Sequence, residues 1–521
     1  VVEETFPGLP SSRWVSQRLL TADDAVIDAV RSGELGRIGD DTITGNAAEI
    51  SEDNRSKVLS QAQRLRWELP DDFQDKMTER TFHAAEQITA TSQVRGLKKT
   101  SVDIDWALDR LLTNRWVGFP VMLLILAAVF WTTIEGANVP SAMLASLLID
   151  TMHPLLRTFG ESTGLPWWAN GFLFDGVYLA TAWVVAVMLP PMAIFFPLFT
   201  LLEDFGYLPR VAFNLDSLFR RAGAHGKQAL TMCMGFGCNA AGVVATRIID
   251  SPRERLIAIL TNNFSLCNGR WPTQILIATI FIGALAPAHL AGLASASAVV
   301  GIALLGVATM FFSSWLLSQT VLRGQATSFS LELPPYRPPR VLQTLYTSII
   351  DRTLIVLWRA VIFAVPAGAV IWLSSNVTIG TLSIAEHAVA WLNPLGMFLG
   401  LNGVILVAYI VAIPANEIVI PTILMLTVLT DQLTGGAGTG VMFELESATA
   451  TSDLLRGSGW TLLTGVNLML FSLLHNPCST TIYTIFRETR SARWTTLAAV
   501  LPLAMGFTVC FVVAQIWRLF N

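Results

Sequence analysis

The chain has 521 residues, of which 53% are hydrophobic and 14% are charged, and its formal net charge is −4. Soluble globular domains carry about 25% charged residues, so this composition favours a membrane protein. The negative net charge gives no indication of nucleic-acid binding. Residues 1–115 hold 35 of the 72 charged residues. The sequence therefore predicts a soluble N-terminal piece followed by a membrane body.

Two stretches of the N-terminal piece have the patterning of helices. Residues 13–33 place apolar side chains near helical intervals, and residues 53–95 combine polar faces with few β-branched runs. This piece is too polar to enter a bilayer. We therefore expect a small soluble helical domain over residues 1–110.

The rest of the chain contains apolar segments of the length that a transmembrane helix requires, about 20 residues. The candidate segments are residues 117–135, 174–202, 229–246, 256–284, 288–320, 354–374, 400–430, 460–486 and 494–518. They predict an all-α polytopic membrane protein with about eight transmembrane helices and additional re-entrant or broken helices. Residues 139–165 are expected at the bilayer interface. A proline-rich cytoplasmic linker, 321–352, separates a first membrane half, 111–320, from a second, 353–521.

Basic residues flank the apolar segment 229–246 on both sides, in residues 205–228 and 247–255. Short loops rich in Lys and Arg remain in the cytoplasm, so both flanks are expected in the same compartment. A segment with both ends in one compartment does not cross the membrane once. The pattern predicts a re-entrant hairpin or a short pair of half-helices.

Four of the apolar segments are interrupted by residues that break helices. Irregular backbone persists at membrane depth only where it lines a cavity, so such breaks indicate a transport path. The breaks are Gly235-Phe236-Gly237-Cys238-Asn239, Cys267-Asn268-Gly269-Arg270-Trp271-Pro272, Pro414-Ala415-Asn416-Glu417, and His475-Asn476-Pro477-Cys478-Ser479-Thr480. The first and fourth breaks look related, because Cys238 and Cys478 each precede an arginine, Arg247 or Arg487, by nine residues.

The chain has five cysteines, an odd number without paired spacing, which argues against a disulfide framework. Three of them lie at breaks, and thiolates and amide oxygens at broken helices suit a soft or borderline cation such as Fe(II), Zn(II) or Cu(I). We predict a metal site formed by Cys238, Cys478, Cys267, Asn239 and Glu417. The remaining two cysteines, Cys233 and Cys510, are expected to be packing residues.

Other polar residues near the breaks leave two interpretations open. Glu417 is an intramembrane carboxylate and is either a ligand or a hydrogen-bond partner of the broken backbone. Arg270 is expected mainly to cap freed carbonyl groups. Glu203 and Asp204 end an apolar helix, where they form either an entrance site for the ion or simply the water interface.

Several of these stretches resemble the ferrous iron transport protein B (FeoB) family. The resemblance covers most of residues 105–518, and residues 7–14 with the helices after them resemble the helical spacer domain of that family. The residues that carry it are Leu202-Glu203-Asp204-Phe205-Gly206-Tyr207, His225-Gly226-Lys227, Gly235-Phe236-Gly237-Cys238-Asn239, Ala245-Thr246-Arg247, Phe264 to Pro272, Pro414 to Ile418, and Pro477-Cys478-Ser479-Thr480-Thr481 with Arg487-Glu488-Thr489.

The resemblance implies uptake of Fe(II) through the bacterial cytoplasmic membrane, with the N-terminal domain in the cytoplasm. It also implies that Cys238 and Cys478 matter for transport, with Cys267 a further candidate. The expected partners are the lipid bilayer, small accessory iron-transport proteins and other copies of the chain. In that family GTP and Mg²⁺ bind a G domain that normally precedes the spacer.

The sequence departs from the family in two places. Ala241 stands where the family usually has a proline, and the chain contains no GxxxxGK[ST] motif. We therefore expect that this chain alone is not an enzyme and does not hydrolyse GTP, and that a G domain lies upstream or on a separate chain.

Two other functions remain open on sequence grounds. A carrier of another divalent metal or of a nucleoside would also use broken helices, although a nucleoside requires more polar and aromatic contacts than thiols. A membrane signalling or enzyme module is the third hypothesis, but the sequence offers no catalytic constellation for it.

Overall fold

The computed structural model describes residues 1–6, 9, 11–21, 23–35, 52–69, 73–92, 104–114, 116–249, 251–287, 289–323, 340–431, 440–445 and 447–520. The chain divides into two compact units, Val1–Thr100 and Ser101–Asn521. The predicted domain boundaries at residues 110, 320 and 352 stay predictions. Most of the proline-rich linker, residues 324–339, lies outside the described residues.

The first unit is a small helical bundle. Its helices are α1 (Val2–Thr5), α2 (Ser12–Leu20), α3 (Asp24–Ser32), α4 (Glu52–Glu68) and α5 (Phe73–Ser92). Val15, Leu19, Val30 and Val58 form its core, because their helical spacing places them on facing surfaces. The Asp23 side chain accepts from two backbone N–H groups at the start of α3, as helix-capping residues do.

The second unit begins with α6 (Ile104–Leu112) and a pair of long helical segments. The first segment comprises α7 (Gly118–Ala145), a π-helical stretch and α8 (His153–Ser162); the second comprises α9 (Trp167–Asn170), a π-helical stretch and α10 (Leu179–Asp204). The first segment is 45 residues long without interruption. Residues 139–165, predicted as interfacial, therefore largely continue this helix, since helical hydrogen bonding persists through the π-helical stretch.

The remaining helices complete the membrane unit. They are α11 (Tyr207–Arg221), α12 (Gln228–Gly237), α13 (Asn239–Ala245), α14 (Pro252–Thr261), α15 (Trp271–Ile277), α16 (Ala291–Gln319), α17 (Val341–Thr347), α18 (Ile355–Asn376), α19 (Ile384–Phe398), α20 (Gly403–Val411), α21 (Val419–Asp431), α22 (Ala448–Gly457), α23 (Leu462–Leu474), α24 (Ser479–Thr489) and α25 (Ala492–Phe520). Two short strands, β1 (Thr378–Ile379) and β2 (Leu382–Ser383), pair antiparallel. A capping box between Ser383 and Glu386 begins α19.

The all-α polytopic fold predicted from the sequence is confirmed, with fewer spans than expected. Among the described residues, five helical segments are long and apolar enough to cross a membrane, or seven if two sharply bent pairs each count as one span. The difference from the expected eight arises because several apolar segments are divided into half-helices.

The segment 229–246 forms the predicted hairpin, and we call α12 and α13 the first hairpin. Lys227, just before α12, and Arg247, just after α13, line one cleft of about 620 Å³, which we call the basic cleft. Both ends of the first hairpin therefore lie at the same end of the molecule, and its turn at Cys238 points into the protein.

A second hairpin, α20 and α21, opens toward a different cleft. Asn402 at the start of α20 and Thr430 near the end of α21 both line a cleft of about 680 Å³, which we call the polar cleft. Arg518 at the end of α25 lines this cleft too. Helix α25 has 29 residues and is therefore about 43 Å long. It begins beside the end of α24 that lies at the basic cleft, and it ends at the polar cleft. The two clefts therefore lie at opposite ends of α25.

Two broken helices connect the two ends. The second broken helix consists of α23 and α24 and runs from the polar cleft, lined by Thr461 and Thr464, to the basic cleft, lined by Arg487 and Glu488.

The first broken helix consists of α14, the break and α15, and it runs in the opposite direction, from the basic end toward the polar end. It begins near Arg255, which pairs with Glu488, and extends toward Ile280 at the other end. Each half of the unit thus contributes one hairpin and one broken helix, as in transporters built from inverted repeats.

Candidate functional site

The tips of both hairpins and the breaks of both broken helices meet at one small cavity. Its volume is about 40 Å³, which is room for a few water-sized particles. All five predicted ligands line it: Cys238, Asn239, Cys267, Glu417 and Cys478. The structure therefore brings these residues together, and their role as metal ligands stays a prediction.

Each cysteine of the cavity lies at the start of a helical segment. Cys238 precedes α13, Cys478 precedes α24, and Cys267 precedes the 3₁₀ turn Asn268–Arg270 that leads into α15. The backbone N–H groups at the start of a helix carry partial positive charge. These N–H groups partly offset the cost of burying negative charge on sulfur, and the thiolate is the form in which a cysteine binds a metal.

Backbone conformation shows how the two repeats correspond. Cys238 has φ −152° and ψ 121°, and Ala415 at the tip of the second hairpin has φ −151° and ψ 118°. Cys267 has φ −74° and ψ 164°, close to φ −63° and ψ 159° at Cys478. The pairing of Cys238 with Cys478 suggested by their spacing to arginine is therefore wrong, since one lies in a hairpin and the other in a broken helix.

Short polar contacts surround two of the thiols. The Sγ atom of Cys478 lies 3.2 Å from Oγ1 of Thr481. The side-chain amide of Asn416 lies 3.9 Å from Sγ of Cys267, and its Oδ1 lies 3.0 Å from Nε2 of His475. His475 also contacts the carbonyl oxygen of Ser472 at 2.9 Å, so it is held between two oxygens.

Arg270 ties the two repeats together beneath the cavity. Its side chain is 1% exposed and donates to the carbonyl oxygens of Asn263 at 2.9 Å and of Leu473 at 3.0 Å. It also donates to Oδ1 of Asn263 at 3.0 Å and contacts the carbonyl oxygen of His475 at 3.4 Å. The last carbonyl groups of α23 have no partner within the helix, so Arg270 caps them, in line with the sequence expectation.

Glycines allow close packing at the breaks. A methyl group at Gly269 would overlap Oε1 of Glu417, and one at Gly237 would overlap the ring of Phe195. The side chain of Asn262 lies between Gly235 and Gly242 of the first hairpin. A methyl group would lie 2.7 Å from this side-chain amide at Gly235 and 2.6 Å from it at Gly242. The carboxylate of Glu417 therefore occupies the space that the absent side chain of Gly269 leaves.

Several lining residues were not predicted from the sequence. Met188 and Met192 of α10 face the cavity, and so do Thr480 and Thr481 of α24. The two methionines are four residues apart and so lie on one helix face, but in an apolar helix this spacing does not distinguish a site from packing.

The thiols and the carboxylate share a cavity wall without forming an assembled coordination sphere. Within the described ranges, no three His, Cys, Asp or Glu side chains are grouped closely enough to hold a metal ion. Coordination of one ion by several of these groups therefore requires the hairpin tips and the helix breaks to move closer together.

The two predicted entrance residues lie at the basic end. Glu203 lines the basic cleft and pairs with Arg352 at 3.5 Å, while Asp204 accepts a hydrogen bond from Thr344 at 2.6 Å. At the same end, Glu488 binds Arg247 at 2.6 Å and Arg255 at 2.8 Å. These contacts join the end of the first hairpin to the end of the second broken helix.

The architecture defines a class: a polytopic membrane protein with inverted repeats whose broken helices surround a buried cavity. Comparison with known proteins supports this class and refines it. The family described as "Nucleoside recognition" matches residues 185–282, and the family described as "Ferrous iron transport protein B C terminus" matches residues 299–351. No solved structure matches the chain.

Curated relatives extend the similarity along the chain. A protein of Staphylococcus aureus (strain MSSA476) named "Fe(2+) transporter FeoB" is 28% identical over 414 residues, which is 79% of this chain and 59% of that protein. Proteins of the same name from Synechocystis sp. and Shigella flexneri are 27% identical over 415 residues (78% of this chain, 62% of that protein) and 31% identical over 237 residues (45% of this chain, 29% of that protein). The chain thus spans about three-fifths of the length of the first two relatives. These matches support the interpretation of the chain as a membrane portion of the ferrous iron transport protein B family, as the sequence motifs predicted.

Proposed function

We propose that the membrane unit carries ferrous iron across a bacterial cytoplasmic membrane through the cavity at which the two hairpins and the two broken helices meet. One observation carries this proposal: Cys238, Cys267 and Cys478 come from three separate breaks, yet their thiols line one cavity together with Glu417. The relatives that match most of the chain are named Fe(2+) transporters, which supports iron as the cargo.

The chemistry of the cavity wall suits Fe(II). Thiolates and thioethers favour soft or borderline metals, and a carboxylate adds negative charge that balances a divalent ion. Mg²⁺ and Ca²⁺ prefer all-oxygen sites, so the sulfur atoms disfavour these abundant ions. Because the ligands are not assembled, the ion is bound transiently and can leave again, which a transport site requires.

The orientation follows from charge. We propose that the basic cleft faces the cytoplasm, because short loops rich in Lys and Arg remain on that side. Glu203 and Asp204, predicted as an entrance or as the water interface, then lie at the cytoplasmic end, where an imported ion leaves. The polar cleft, lined by residues such as Asn402 and Thr464, then faces the outside. A G domain outside this chain is proposed to regulate the passage.

A nucleoside cargo is the second candidate, because the family that matches residues 185–282 is described as "Nucleoside recognition". Sites for small organic molecules occupy about 300 Å³ or more. The cavity of about 40 Å³ is far smaller. The volume therefore favours a single ion over a nucleoside.

The proposal is tested by uptake of radioactive Fe(II) into proteoliposomes that hold the protein together with its G domain. Cys238→Ser, Cys267→Ser and Cys478→Ser each replace a soft sulfur with a hard oxygen, and we expect uptake to fall about tenfold or more, equivalent to about 1.4 kcal/mol. Cys510→Ser is the matched control, since Cys510 is buried away from the cavity and bonds the carbonyl oxygen of Asn467.

Unchanged uptake in all three variants would remove the thiols from the transport path. Competition by Zn(II), Mn(II) and uridine separates the alternative cargoes. Inhibition by uridine with no effect of the metals would favour the nucleoside, and equal transport of Zn(II) or Mn(II) would broaden the cargo to divalent metals.

A further inference from the structure

Two arginines from neighbouring helices line the basic cleft. Arg359 belongs to α18 and Arg487 to α24, and both line the cleft. Ile355 and Val356 lie on the same face of α18, one turn earlier, and Thr484 lies on the same face of α24. Both arginine side chains are therefore directed to the cleft by helical periodicity.

The two helices contact each other next to this pair. The rings of Phe363 and Tyr483 are 6.3 Å apart between centroids. The helices run in opposite directions there, because α18 begins at the basic cleft and α24 ends at it. Arg359 lies four residues before Phe363, and Arg487 lies four residues after Tyr483. Both arginines therefore lie one helical turn from this ring contact, on the side of the cleft.

The carboxylates that line this cleft are used elsewhere or lie apart. Glu203 pairs with Arg352, and Glu488 pairs with Arg247 and Arg255. The third, Asp351, is exposed and forms no ion pair with Arg359 or Arg487 among the described residues. Across the described part of the chain, neither member of the arginine pair has a carboxylate within ion-pair distance or a hydrogen-bond acceptor. Two cationic side chains that line one cleft without an ion-pair partner attract an anion.

Arg359 also lies deeper than loop cations do. It belongs to the candidate span Val341–Asn376, and it is seven residues beyond Arg352, or about 10 Å further along the helix. Basic loops at the membrane surface orient a protein, but a cation within a span marks a functional site by default.

We propose that a phosphate-class oxyanion binds in the basic cleft between Arg359 and Arg487. The planar guanidinium group forms paired hydrogen bonds with phosphate oxygens, and two of them bind a tetrahedral anion from two sides. Apolar residues such as Phe196, Phe199 and Ile355 line the rest of the cleft. The phosphate group belongs either to the headgroup of an anionic lipid, whose chains contact these apolar residues, or to a soluble phosphate compound.

The anion would lie next to the route of the ion. Val356 lines both the basic cleft and the thiol cavity. A bound phosphate therefore lowers the positive potential that a cation meets when it leaves the cavity. This consequence rests on the proposed function, whereas the binding itself does not.

The test measures phosphate binding and not transport, so its failure is distinguishable from failure of the proposed function. The 521-residue chain is placed in phosphatidylcholine nanodiscs for binding of labelled pyrophosphate. A second preparation contains phosphatidylglycerol, and native mass spectrometry counts the lipids retained by the protein. The variants are Arg359→Gln and Arg487→Gln. Arg493→Gln is the matched control, since Arg493 lies near the start of α25 and does not line the cleft.

We expect the wild-type protein and Arg493→Gln to bind one of the two probes at least tenfold more tightly than Arg359→Gln and Arg487→Gln do. Loss in the pyrophosphate arm identifies a soluble phosphate, and loss only in the phosphatidylglycerol arm identifies a lipid headgroup. Arg487 is exposed, so we expect Arg487→Gln to fold. If Arg359→Gln does not fold, Arg487→Gln is the variant that decides the result. The proposal is overturned if wild type binds neither probe, or if Arg487→Gln binds both as wild type does.

Discussion

The two hairpins reach the cavity with nearly the same backbone but present different groups there. Cys238 and Ala415 agree within 3° in both φ and ψ, and each is followed by an asparagine. The first hairpin thus offers a thiol where the second offers a methyl group, and the second adds the carboxylate of Glu417 two residues later. Equivalent backbone positions therefore carry different chemical groups, and the two repeats contribute different candidate ligands to the cavity although the fold is repeated.

The two broken helices differ in another way. Both place a cysteine at the break, but the residue three positions later is Arg270 in the first and Thr481 in the second. Arg270 reaches across to cap α23, whereas Thr481 stays beside its own cysteine. The residue three positions after the cysteine therefore stabilises the fold in the first broken helix, whereas in the second it contacts the thiol.

The largest expected effect comes from removing the guanidinium group of Arg270. Arg270→Gln leaves the buried carbonyl oxygens of Asn263 and Leu473 without this donor. Each unsatisfied buried acceptor costs about 1–3 kcal/mol, so we expect the free energy of unfolding to fall by about 3 kcal/mol. Thermal unfolding in detergent measures this, with Arg493→Gln as the control. Identical melting of the two variants would show that Arg270 is not a structural clamp.

Next in size is the effect of a methyl group beside Glu417. Gly269→Ala forces the carboxylate out of its present position, because the new carbon would overlap Oε1. We expect binding of Fe(II) to weaken about tenfold, or by about 1.4 kcal/mol. Thr480→Ala changes the equivalent residue of the second broken helix and is the comparison. If the two variants bind Fe(II) equally, the position of Glu417 has no influence on the ion.

A thiol in the second hairpin would make the two tips alike. Ala415→Cys adds a sulfur ligand at the position equivalent to Cys238, where the native methyl group already lines the cavity. We expect Cd(II), a soft probe, to bind severalfold more tightly and Fe(II) transport to slow because release is delayed. Ala412→Cys, on the same segment but outside the cavity, should change neither quantity. Weaker Cd(II) binding by Ala415→Cys would contradict the equivalence of the two tips.

The smallest effect is expected at Thr481. Thr481→Val keeps the shape of the side chain but removes the hydroxyl group that lies 3.2 Å from Sγ of Cys478. A hydrogen bond contributes about 0.5–1.5 kcal/mol, and sulfur is a weak hydrogen-bond partner, so we expect a loss of about 0.5 kcal/mol and a change in Fe(II) binding of about twofold. Thr484→Val removes a hydroxyl group bonded only to the backbone oxygen of Thr480 and serves as the control. A larger effect of Thr484→Val would argue against a role for the contact at Cys478.

Much of this arrangement was predictable, and the reasons are local. Gly, Pro and Asn within apolar segments marked all four breaks, and basic flanks marked the first hairpin. The predicted ligands lie at one cavity because each is adjacent to such a break. The correspondence between repeats was not predictable from spacing, since Arg247 and Arg487 follow different types of segment.

Residues far from the breaks were also missed. Met188 and Met192 contribute to the cavity through tertiary packing of α10, and no local signal in an apolar helix separates them from ordinary packing residues. The sequence predicted that Arg270 would cap carbonyl groups, but it did not identify which ones. The carbonyl groups of the other repeat that Arg270 contacts are about 200 residues away in the sequence.

Sulfur atoms from three breaks are proposed to coordinate the transported ion. X-ray absorption at the iron edge tests this proposal directly, using the protein loaded with one equivalent of Fe(II) under reducing conditions. We expect sulfur neighbours at about 2.3 Å, as in metal–thiolate bonds, with fewer of them in Cys238→Ser and Cys478→Ser and an unchanged number in Cys510→Ser. A first shell of oxygen and nitrogen atoms alone in the wild-type protein would contradict the proposal.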